Sequence, residues 1–583
     1  MYQSLILFDI CRLKKNTSFA IMRLLKFLSF PAFIVFAFTA SAQINTKTWY
    51  LQDASTDSVD GISIKETYQF LKGKKSTPVI VAVIDSGVDT THEDLKKILW
   101  TNKKEIPGNG IDDDHNGYVD DVHGWNFLGN KNGQNINKAS DEKSRVYYTY
   151  KDRYEGKVIN EDSLSADEKW IYEQWVRAAA DMTVSSDEQM EVLMLEALDK
   201  TLRKQDAILQ EELGKSEYSL NDLELTQNLS YKGKQAKTSF LNILKMEQVE
   251  PETTNKAVLQ DLEEYLDGKR RLLENKTAAP PDYRAEVIKD NYDDINDKYY
   301  GNNDVMGPDP EHGTHVSGII GALRDNNIGI NGIADNVQIM MIRAVPDGDE
   351  YDKDIALAIK YAVDNGAKVV NMSFGKSFSP QKKWVDEAVK YADEHDVLLV
   401  HAAGNESNNV DSVANFPNCD LVFEKSTAAN FINVGAYGDP HVNDGKFIAY
   451  FSNYGKNSVD VFAPGVKIYS TLPHSYGYHD GTSMASPVVT GIAALIRSYY
   501  PQLSAEQVKY AIEKSVKHYS DSVNKPGEYN SLEEISINEL SKTGGFVNAD
   551  AAVELAATLK PDTQKIQDKK NKSSFQNNIQ TNQ

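Results

Sequence analysis

The segment Gly481-Thr482-Ser483-Met484-Ala485-Ser486-Pro487 decides the fold of this chain. It places a serine among small residues where a loop is predicted to turn into a helix that continues to Ala494. The first N–H groups of a helix have no partner inside the helix and lie at the positive end of its dipole. Ser483 is therefore predicted to lie where negative charge on an oxygen atom is stabilised.

Two further segments contain the groups that would activate a serine. A serine hydroxyl is a weak nucleophile that needs a nearby base, and the base needs a third group to orient it. Asp85 ends an apolar run, 79–84, that is typical of a buried parallel strand, although a turn or capping role before Ser86 is an alternative. His312 opens a predicted helix. The two segments are Val81-Ala82-Val83-Ile84-Asp85-Ser86-Gly87-Val88-Asp89 and His312-Gly313-Thr314-His315-Val316-Ser317-Gly318.

These motifs, in the order Asp85, His312, Ser483, resemble the subtilisin-like serine proteases, or subtilases. The resemblance implies an α/β fold with a mostly parallel sheet flanked by helices. It also implies a serine endopeptidase that acts through an acyl-enzyme, in which Ser483 attacks, His312 shuttles the proton and Asp85 orients His312. His315 would then be a packed structural residue. The alternative from another class is a non-catalytic peptide-binding protein on a protease fold.

The resemblance also assigns an oxyanion site and a substrate cleft. Asn405 matches the family's asparagine whose amide faces the developing oxyanion, with the N–H of Ser483 as second donor; a plain turn residue is the alternative. Asn415 is expected near the base of the primary specificity pocket. No acidic residue is evident there, so specificity stays open. The expected walls of the pocket are Ser373, Phe374 and Gly375 on one side and Ala402, Ala403 and Gly404 on the other.

Composition limits the classes of partner. The chain has 583 residues, of which 40% are hydrophobic and 25% charged, and a net charge of −22. These values are typical of a globular protein with more than one structural unit. The acidic balance argues against nucleic acid or an anionic membrane as partner. Protein or peptide substrates are expected, and the oligomeric state stays open.

Residues 1–42 predict a signal peptide, with Met22 as an alternative start. Met22-Arg23-Leu24-Leu25-Lys26 is basic, 27–39 is apolar, and Ala40-Ser41-Ala42 fits a cleavage site. The apolar run is too short to span a bilayer comfortably, and an uncleaved anchor is the alternative. The prediction is export to the periplasm, cell surface or medium, with no membrane span after cleavage.

The predicted organisation is a catalytic domain split by a helical insertion between Asp85 and His312. Capping-box patterns begin at Ser165 and Ser185 inside this insertion. A stabilising cap, a lid over the cleft and an inhibitory or chaperone segment are all open interpretations of it, the last because the short N-terminal extension leaves no room for the family's usual propeptide. The predicted segments are 43–60 (extension), 61–134 and 285–559 (catalytic), 135–284 (insertion) and 560–583 (disordered polar tail).

Two loops are candidate calcium sites. The segment 110–121 contains a D-x-D-x-N-G pattern, which spaces oxygen ligands at alternate positions before a glycine. An acidic turn without metal is the alternative, because the bidentate glutamate of a complete EF-hand loop is absent. The resemblance implies a second site. A structural calcium ion is thus the predicted cofactor, with Asp112, Asp114, Asn116 and Asp120 as ligands in the first loop and Asn326 and Asp94 in the second.

Overall fold

The computed structural model describes residues 45–246, 249, 251–519, 521–527, 531 and 533–562. The predicted signal peptide and the tail beyond 562 lie outside these residues. The described chain forms two compact units, one of residues 191–267 and one of residues 46–190 and 268–562. None of the described helices combines the length and apolar character that crossing a bilayer requires.

Helices and strands alternate over much of the larger unit, as expected for an α/β protein. The α-helices of the described chain are α1 Ile64–Leu71, α2 Glu142–Tyr154, α3 Ala166–Ala180, α4 Ser186–Leu213, α5 Leu220–Leu225, α6 Tyr231–Met246, α7 Asn255–Thr277, α8 Tyr283–Val287, α9 Glu311–Gly321, α10 Asp352–Asp364, α11 Lys382–Glu394, α12 Thr482–Tyr499, α13 Ala505–Lys514 and α14 Ala549–Thr558. Its strands are β1 Val79–Asp85, β2 Gly124–Asn126, β3 Val337–Arg343, β4 Val369–Met372, β5 Leu398–Ala402, β6 Asp420–Leu421, β7 Ser426–Thr427, β8 Phe431–Tyr437, β9 Val461–Pro464, β10 Ile468–Leu472, β11 Ser475–His479, β12 Ser522–Asn524 and β13 Glu534–Ser536.

Seven strands form one sheet in the order β2-β3-β1-β4-β5-β8-β9, and every neighbouring pair is parallel. In β1, Val81 lies opposite Ile339 of β3 and Val369 of β4. A parallel sheet covered on both faces buries nearly every side chain, which explains the continuous apolar run of β1. The predicted fold class, a mostly parallel sheet flanked by helices, is confirmed.

Strand order explains where a site can form. β3 and β4 lie on opposite sides of β1, so the order reverses at β1. Ligand sites of open α/β sheets form beyond the carboxyl ends of the strands at such a reversal. Asp85 is the last residue of β1. Helix α12, which is buried from Thr482 to Ser498, packs against α9 and against β4, β5, β8 and β9.

Both predicted capping boxes are confirmed. At the start of α3, the Ser165 hydroxyl accepts from the Glu168 N–H, and the Glu168 carboxylate accepts from the Ser165 N–H. Ser185 and Glu188 make the same reciprocal pair before α4. The predicted bounds of the insertion stay a prediction; of its residues, only 191–267 form a separate compact unit.

The unit 191–267 has its own apolar core and a buried polar centre. The Asp206 carboxylate accepts hydrogen bonds from the Tyr218 hydroxyl at 2.8 Å and from the Asn255 amide at 2.7 Å. A buried carboxylate needs such partners, because an unpaired one is costly. The core side chains include Leu195, Leu202, Leu209, Leu220, Leu223, Phe240, Leu244, Leu262 and Leu266.

Candidate active site

The site is centred on a hydrogen bond between the ends of two elements. His312, in the first turn of α9, has its Nδ1 atom 2.6 Å from Oδ1 of Asp85 at the end of β1. Asp85 is 1% exposed, and its Oδ1 also accepts from the Ser86 N–H at 2.8 Å. A carboxylate on Nδ1 holds the imidazole in one orientation and leaves Nε2 as its proton-exchanging atom.

Ser483 lies in the first turn of α12 and is fully buried. The helix begins after Gly481, whose φ of +151° is a conformation that side chains disfavour. The Ser483 hydroxyl donates to the Ser373 carbonyl at 3.0 Å. The Ser483 N–H belongs to this first turn, where backbone N–H groups have no acceptor inside the helix.

Pro487 explains a second contact between these segments. A proline at this position cannot donate to the carbonyl four residues earlier, which is that of Ser483. The Ser373 hydroxyl donates to that carbonyl at 2.9 Å instead. The proline of the serine motif therefore ties the start of α12 to the segment after β4. Sequence reasoning assigned Ser373 only to the substrate cleft and missed this supporting role, which the i−4 rule for proline would have suggested.

Asn405 follows β5 and is held by the same helix start. Its Oδ1 accepts from both the N–H and the hydroxyl of Thr482, each at 2.9 Å. These donors identify the oxygen end of the amide, so Nδ2 is the end that remains to donate. The Thr482 hydroxyl oxygen also accepts a hydrogen bond from the Gly404 N–H at 3.1 Å.

The predicted pocket walls follow adjacent strands. The first wall directly follows β4 and consists of Ser373, Phe374 and Gly375. The second wall begins at Ala402, the last residue of β5, and continues into Ala403 and Gly404. Strands β4 and β5 are paired in the sheet, with Met372 opposite His401. Asn415 lies between the walls, because its Nδ2 donates to the Ala403 carbonyl at 2.7 Å. A Cβ on Gly375 would lie 2.8 Å from Oδ1 of Asn415. The two segments and Asn415 thus come together.

Neighbouring histidines differ in character. His315 is completely buried, and its Nε2 faces the carbonyls of Ile468 and Gly477 at 3.0 and 3.2 Å. Burial holds the pKa of His315 well below its usual value, as expected of a packed neutral ring. His479 lies 3.2 Å from Glu311 and lowers the pKa of that carboxyl. A charged carboxylate therefore lies next to His312 in sequence.

The first candidate metal loop contains a cluster of three carboxylates, two of which the sequence pattern predicted as ligands. Carboxylate oxygens of Glu105, Asp112 and Asp114 lie within 4.8 Å of one another. Glu105 is 6% exposed, and its buried Oε2 has no hydrogen-bond partner among the described residues. A buried orphan oxygen beside two carboxylates fits a hard cation. Glu105 was not singled out from the sequence, because it precedes the patterned loop.

The remaining residues of that loop have other contacts. The Asp120 carboxylate accepts from the backbone N–H groups of residues 108–110. Asn116 donates from Nδ2 to Asp121 at 3.0 Å, and its Oδ1 accepts from the Tyr118 N–H. Asp120 and Asn116 therefore shape the turn, and the three clustered carboxylates are the oxygens that a cation could share.

The second candidate pair, Asp94 and Asn326, is also brought together. Nδ2 of Asn326 donates to Oδ1 of Asp94 at 2.5 Å, and Oδ2 of Asp94 accepts from the Ile330 N–H at 3.1 Å. Asp94 is fully buried. Here the amide donor already satisfies the carboxylate. This donor set fits a cation less well than the first loop, where an oxygen is left without a donor.

Comparison with known proteins identifies the family. The model of the Subtilase family matches residues 76–536. That range covers most of the chain, which therefore belongs to the Subtilase family of serine peptidases.

Two sequence relatives agree with this assignment. A thermophilic serine proteinase of Bacillus sp. (strain AK1) is 38% identical over 43% of this chain and 55% of its own length. Subtilisin DY of Bacillus licheniformis is 38% identical over 36% of this chain and 72% of its own length. A solved protease of Pseudoalteromonas arctica PAMC 21717 is 26% identical, covers 46% of this chain and 82% of that chain, and has a TM-score of 0.36. The chain spans little more than half of the first of these relatives.

Proposed function

We propose that this chain is an exported subtilisin-like serine endopeptidase whose catalytic residues are Asp85, His312 and Ser483. The observation that carries the proposal is the 2.6 Å contact between Asp85 and His312 in a chain with Ser483 at the start of a buried helix. In the proposal, His312 is the base, Asp85 is its orienting carboxylate and Ser483 is the nucleophile that acyl transfer requires. The substrates are proteins or peptides.

In the proposed reaction, the Ser483 hydroxyl turns from the Ser373 carbonyl toward Nε2 of His312. Oγ of Ser483 then attacks the scissile carbonyl while His312 takes the hydroxyl proton, and Asp85 stabilises the resulting imidazolium. His312 returns the proton to the leaving amine, which departs and leaves the acyl-enzyme. Water attacks the ester in the same way, with His312 again as base, and releases the acid product and Ser483.

Asn405 and the Ser483 N–H are the proposed oxyanion donors. Asn405 supports this role because Thr482 holds its oxygen end and leaves Nδ2 to donate. Donors held in place before the reaction stabilise developing charge without reorganising. The segments 373–375 and 402–404 would bind the substrate beside them.

Calcium is proposed as a structural ligand. Glu105, Asp112 and Asp114 would supply carboxylate oxygens in the first loop, and Asp94 with Asn326 would form the second site. Bound calcium would offset the repulsion between clustered carboxylates and stabilise the folded loop. No catalytic step needs it. Export through residues 1–42, to the periplasm, cell surface or medium, belongs to the same proposal.

The test compares the full chain with its Ser483→Ala variant in casein cleavage and in labelling by a serine-directed fluorophosphonate. We expect the wild type to cleave and to label, and the variant to do neither while remaining folded by circular dichroism. A folded wild type that does neither would contradict the proposal and favour a non-catalytic peptide-binding protein.

A further inference from the structure

Helix α3 and the loop 412–416 line a cavity of about 420 Å³ that is open to solvent. From α3 come one aromatic, two charged and one amide side chain, and from the loop come small and apolar side chains. Both segments belong to the larger compact unit. The lining residues are Trp170, Glu173, Gln174 and Arg177 of α3 with Ser412, Val413, Ala414 and Phe416 of the loop.

The loop that lines the cavity also borders the proposed substrate cleft. Phe416 exchanges two backbone hydrogen bonds with Lys376, at 2.9 and 3.0 Å, and Lys376 directly follows the wall residue Gly375. Asn415, the preceding residue, contacts the opposite wall through the Ala403 carbonyl. The loop 412–416 therefore lies between the cavity and the cleft and borders both. Helix α3 contacts the chain just after this wall, at the Ser377 and Ser379 carbonyls, so a polypeptide bound along residues 373–375 would lie near α3.

The aromatic wall of the cavity is rigid. The indole N–H of Trp170 donates to the Ser379 carbonyl at 2.8 Å. The ring of Trp170 meets those of Phe416 and Phe423 edge-on, with centroids 6.1 and 6.2 Å apart. A fixed indole offers a surface on which the aliphatic part of a long side chain can pack and a cation can be held.

The two charged α3 residues that line the cavity differ in their contacts. Arg177 donates to the Ser377 carbonyl at 3.0 Å and lies over the ring of Phe378 at 4.7 Å. Glu173 is exposed, and within the described chain no hydrogen bond or ion pair engages its carboxylate. Arg177 is thus held by neutral partners and an aromatic ring, whereas Glu173 is the charged lining residue whose hydrogen-bonding groups are left for a ligand.

We propose that this cavity is a specificity subsite for a lysine or arginine side chain of the polypeptide substrate, with Glu173 as its ionic partner and Trp170 as its packing surface. The subsite lies outside the primary pocket, whose walls carry no acid. The inference rests on the proposed function, since it concerns residues that flank the same cleft. The first helical hairpin after β2, α2–α3, would thereby select substrates.

The test maps the cleavage sites of the full-length protein in a mixed peptide library by mass spectrometry. We expect Lys or Arg to be enriched at one fixed position from the cleaved bond. Two peptides that differ only by Lys or Glu at that position are then compared, and the Lys-to-Glu ratio is kcat/KM for the Lys peptide divided by kcat/KM for the Glu peptide. We expect this ratio to be about five-fold lower in Glu173→Lys than in the wild type, which is the effect of one exposed charge pair. Glu173→Gln should give an intermediate ratio. Glu554→Lys, on the exposed side of α14, makes the same charge change outside the cavity and should leave the ratio unchanged.

Two results would overturn the inference. One is a wild-type protein without enrichment, and the other is the same Lys-to-Glu ratio in Glu173→Lys as in the wild type. Fluorophosphonate labelling separates this failure from a failure of the proposed function. If either result is obtained while the wild type and the variant both label, the protein is an active serine enzyme without this subsite. A wild type that does not label contradicts the proposed function itself, and with it the subsite.

Discussion

Oδ1 of Asp85 and Nδ1 of His312 lie 2.6 Å apart, although 227 positions of the chain separate the two residues. The intervening chain contains β2 and helices α2 to α8. The contact therefore depends on how α9 approaches the carboxyl end of β1. Gly313 permits this approach, because a Cβ at that position would lie 2.1 Å from the Gly87 carbonyl oxygen.

Replacing Gly313 with alanine is therefore expected to push α9 away from β1 and to lengthen the contact between Asp85 and His312. We expect kcat to fall at least about 100-fold, because small misplacements of a catalytic group cost this much. Steady-state kinetics and thermal denaturation would measure it. Gly268→Ala in α7 is the matched control and should keep full activity, because a Cβ there would meet, outside the helix's own backbone, only an arginine side-chain nitrogen at 3.9 Å. Unchanged kcat in Gly313→Ala would contradict the packing argument.

Asn405 allows its two hydrogen-bonding roles to be separated. Asn405→Asp keeps an oxygen for the N–H and hydroxyl of Thr482 but loses the amide donor, whereas Asn405→Ala loses both. We expect kcat to fall by about 10²–10³ in each, the loss known for this donor in subtilisin. Only the alanine variant should also lose stability. An aspartate variant with wild-type kcat would exclude Asn405 as an oxyanion donor.

Calcium binding should depend on Glu105. We expect calcium at about 100 times its Kd to stabilise the folded chain by about 2.7 kcal/mol per site, and a chelator to remove that gain. Glu105→Gln should abolish one site in a calorimetric titration and leave the Asp94 loop unaffected. Glu554→Gln is the control for loss of one acidic charge. An unchanged stoichiometry in Glu105→Gln would show that this cluster does not hold the ion.

A buried acid predicts how stability varies with pH. Glu350 is 1% exposed, its Oε1 has no hydrogen-bond partner among the described residues, and burial raises its pKa to about 8 from an ordinary 4.5. Between these values the folded state binds more protons than the unfolded state, so this group lowers stability as pH rises. The free-energy cost of ionising the buried Glu350 carboxyl is absent below its ordinary pKa of 4.5 and complete above its raised pKa of about 8.

Glu350→Gln stays neutral throughout, so its advantage over the parent protein should grow by roughly 2–4 kcal/mol between pH 4.5 and pH 8. Urea unfolding in a Ser483→Ala background, which prevents self-digestion, would measure the difference. A stability difference that is constant over this range, or that shrinks with pH, would show that Glu350 is not held as a neutral acid.

Local patterns in the sequence predicted the elements that carry the site. The apolar run before Asp85 is β1 almost to the residue, and the small-residue motif at Ser483 begins α12. Both patterns are local. A strand that is buried on both faces requires a short run of apolar residues, and a helix start requires particular residue types within its first turn. The positions of His312 and Asn405 followed from family motifs that are equally local.

Contacts between distant segments could not be predicted in this way. Glu105 joins Asp112 and Asp114 only because a turn folds back, and the contacts of Asp120 with the backbone N–H groups of residues 108–110 also depend on that turn. The position of Trp170 beside Phe416 depends on how α3 packs over a loop about 240 residues further along the chain. Amphipathic periodicity shows that a helix packs, but not what it packs against.

The most direct test of the central claim is the site of covalent labelling. The full chain is treated with the fluorophosphonate, digested, and sequenced by mass spectrometry, with Asp85→Asn as a second sample. We expect a single adduct on Ser483 in the wild type and labelling slowed by orders of magnitude in Asp85→Asn, because an amide at position 85 favours the imidazole tautomer in which Nε2 of His312 already carries a proton. An adduct on another serine, or labelling that is equally fast without the Asp85 carboxylate, would contradict the assignment of the triad.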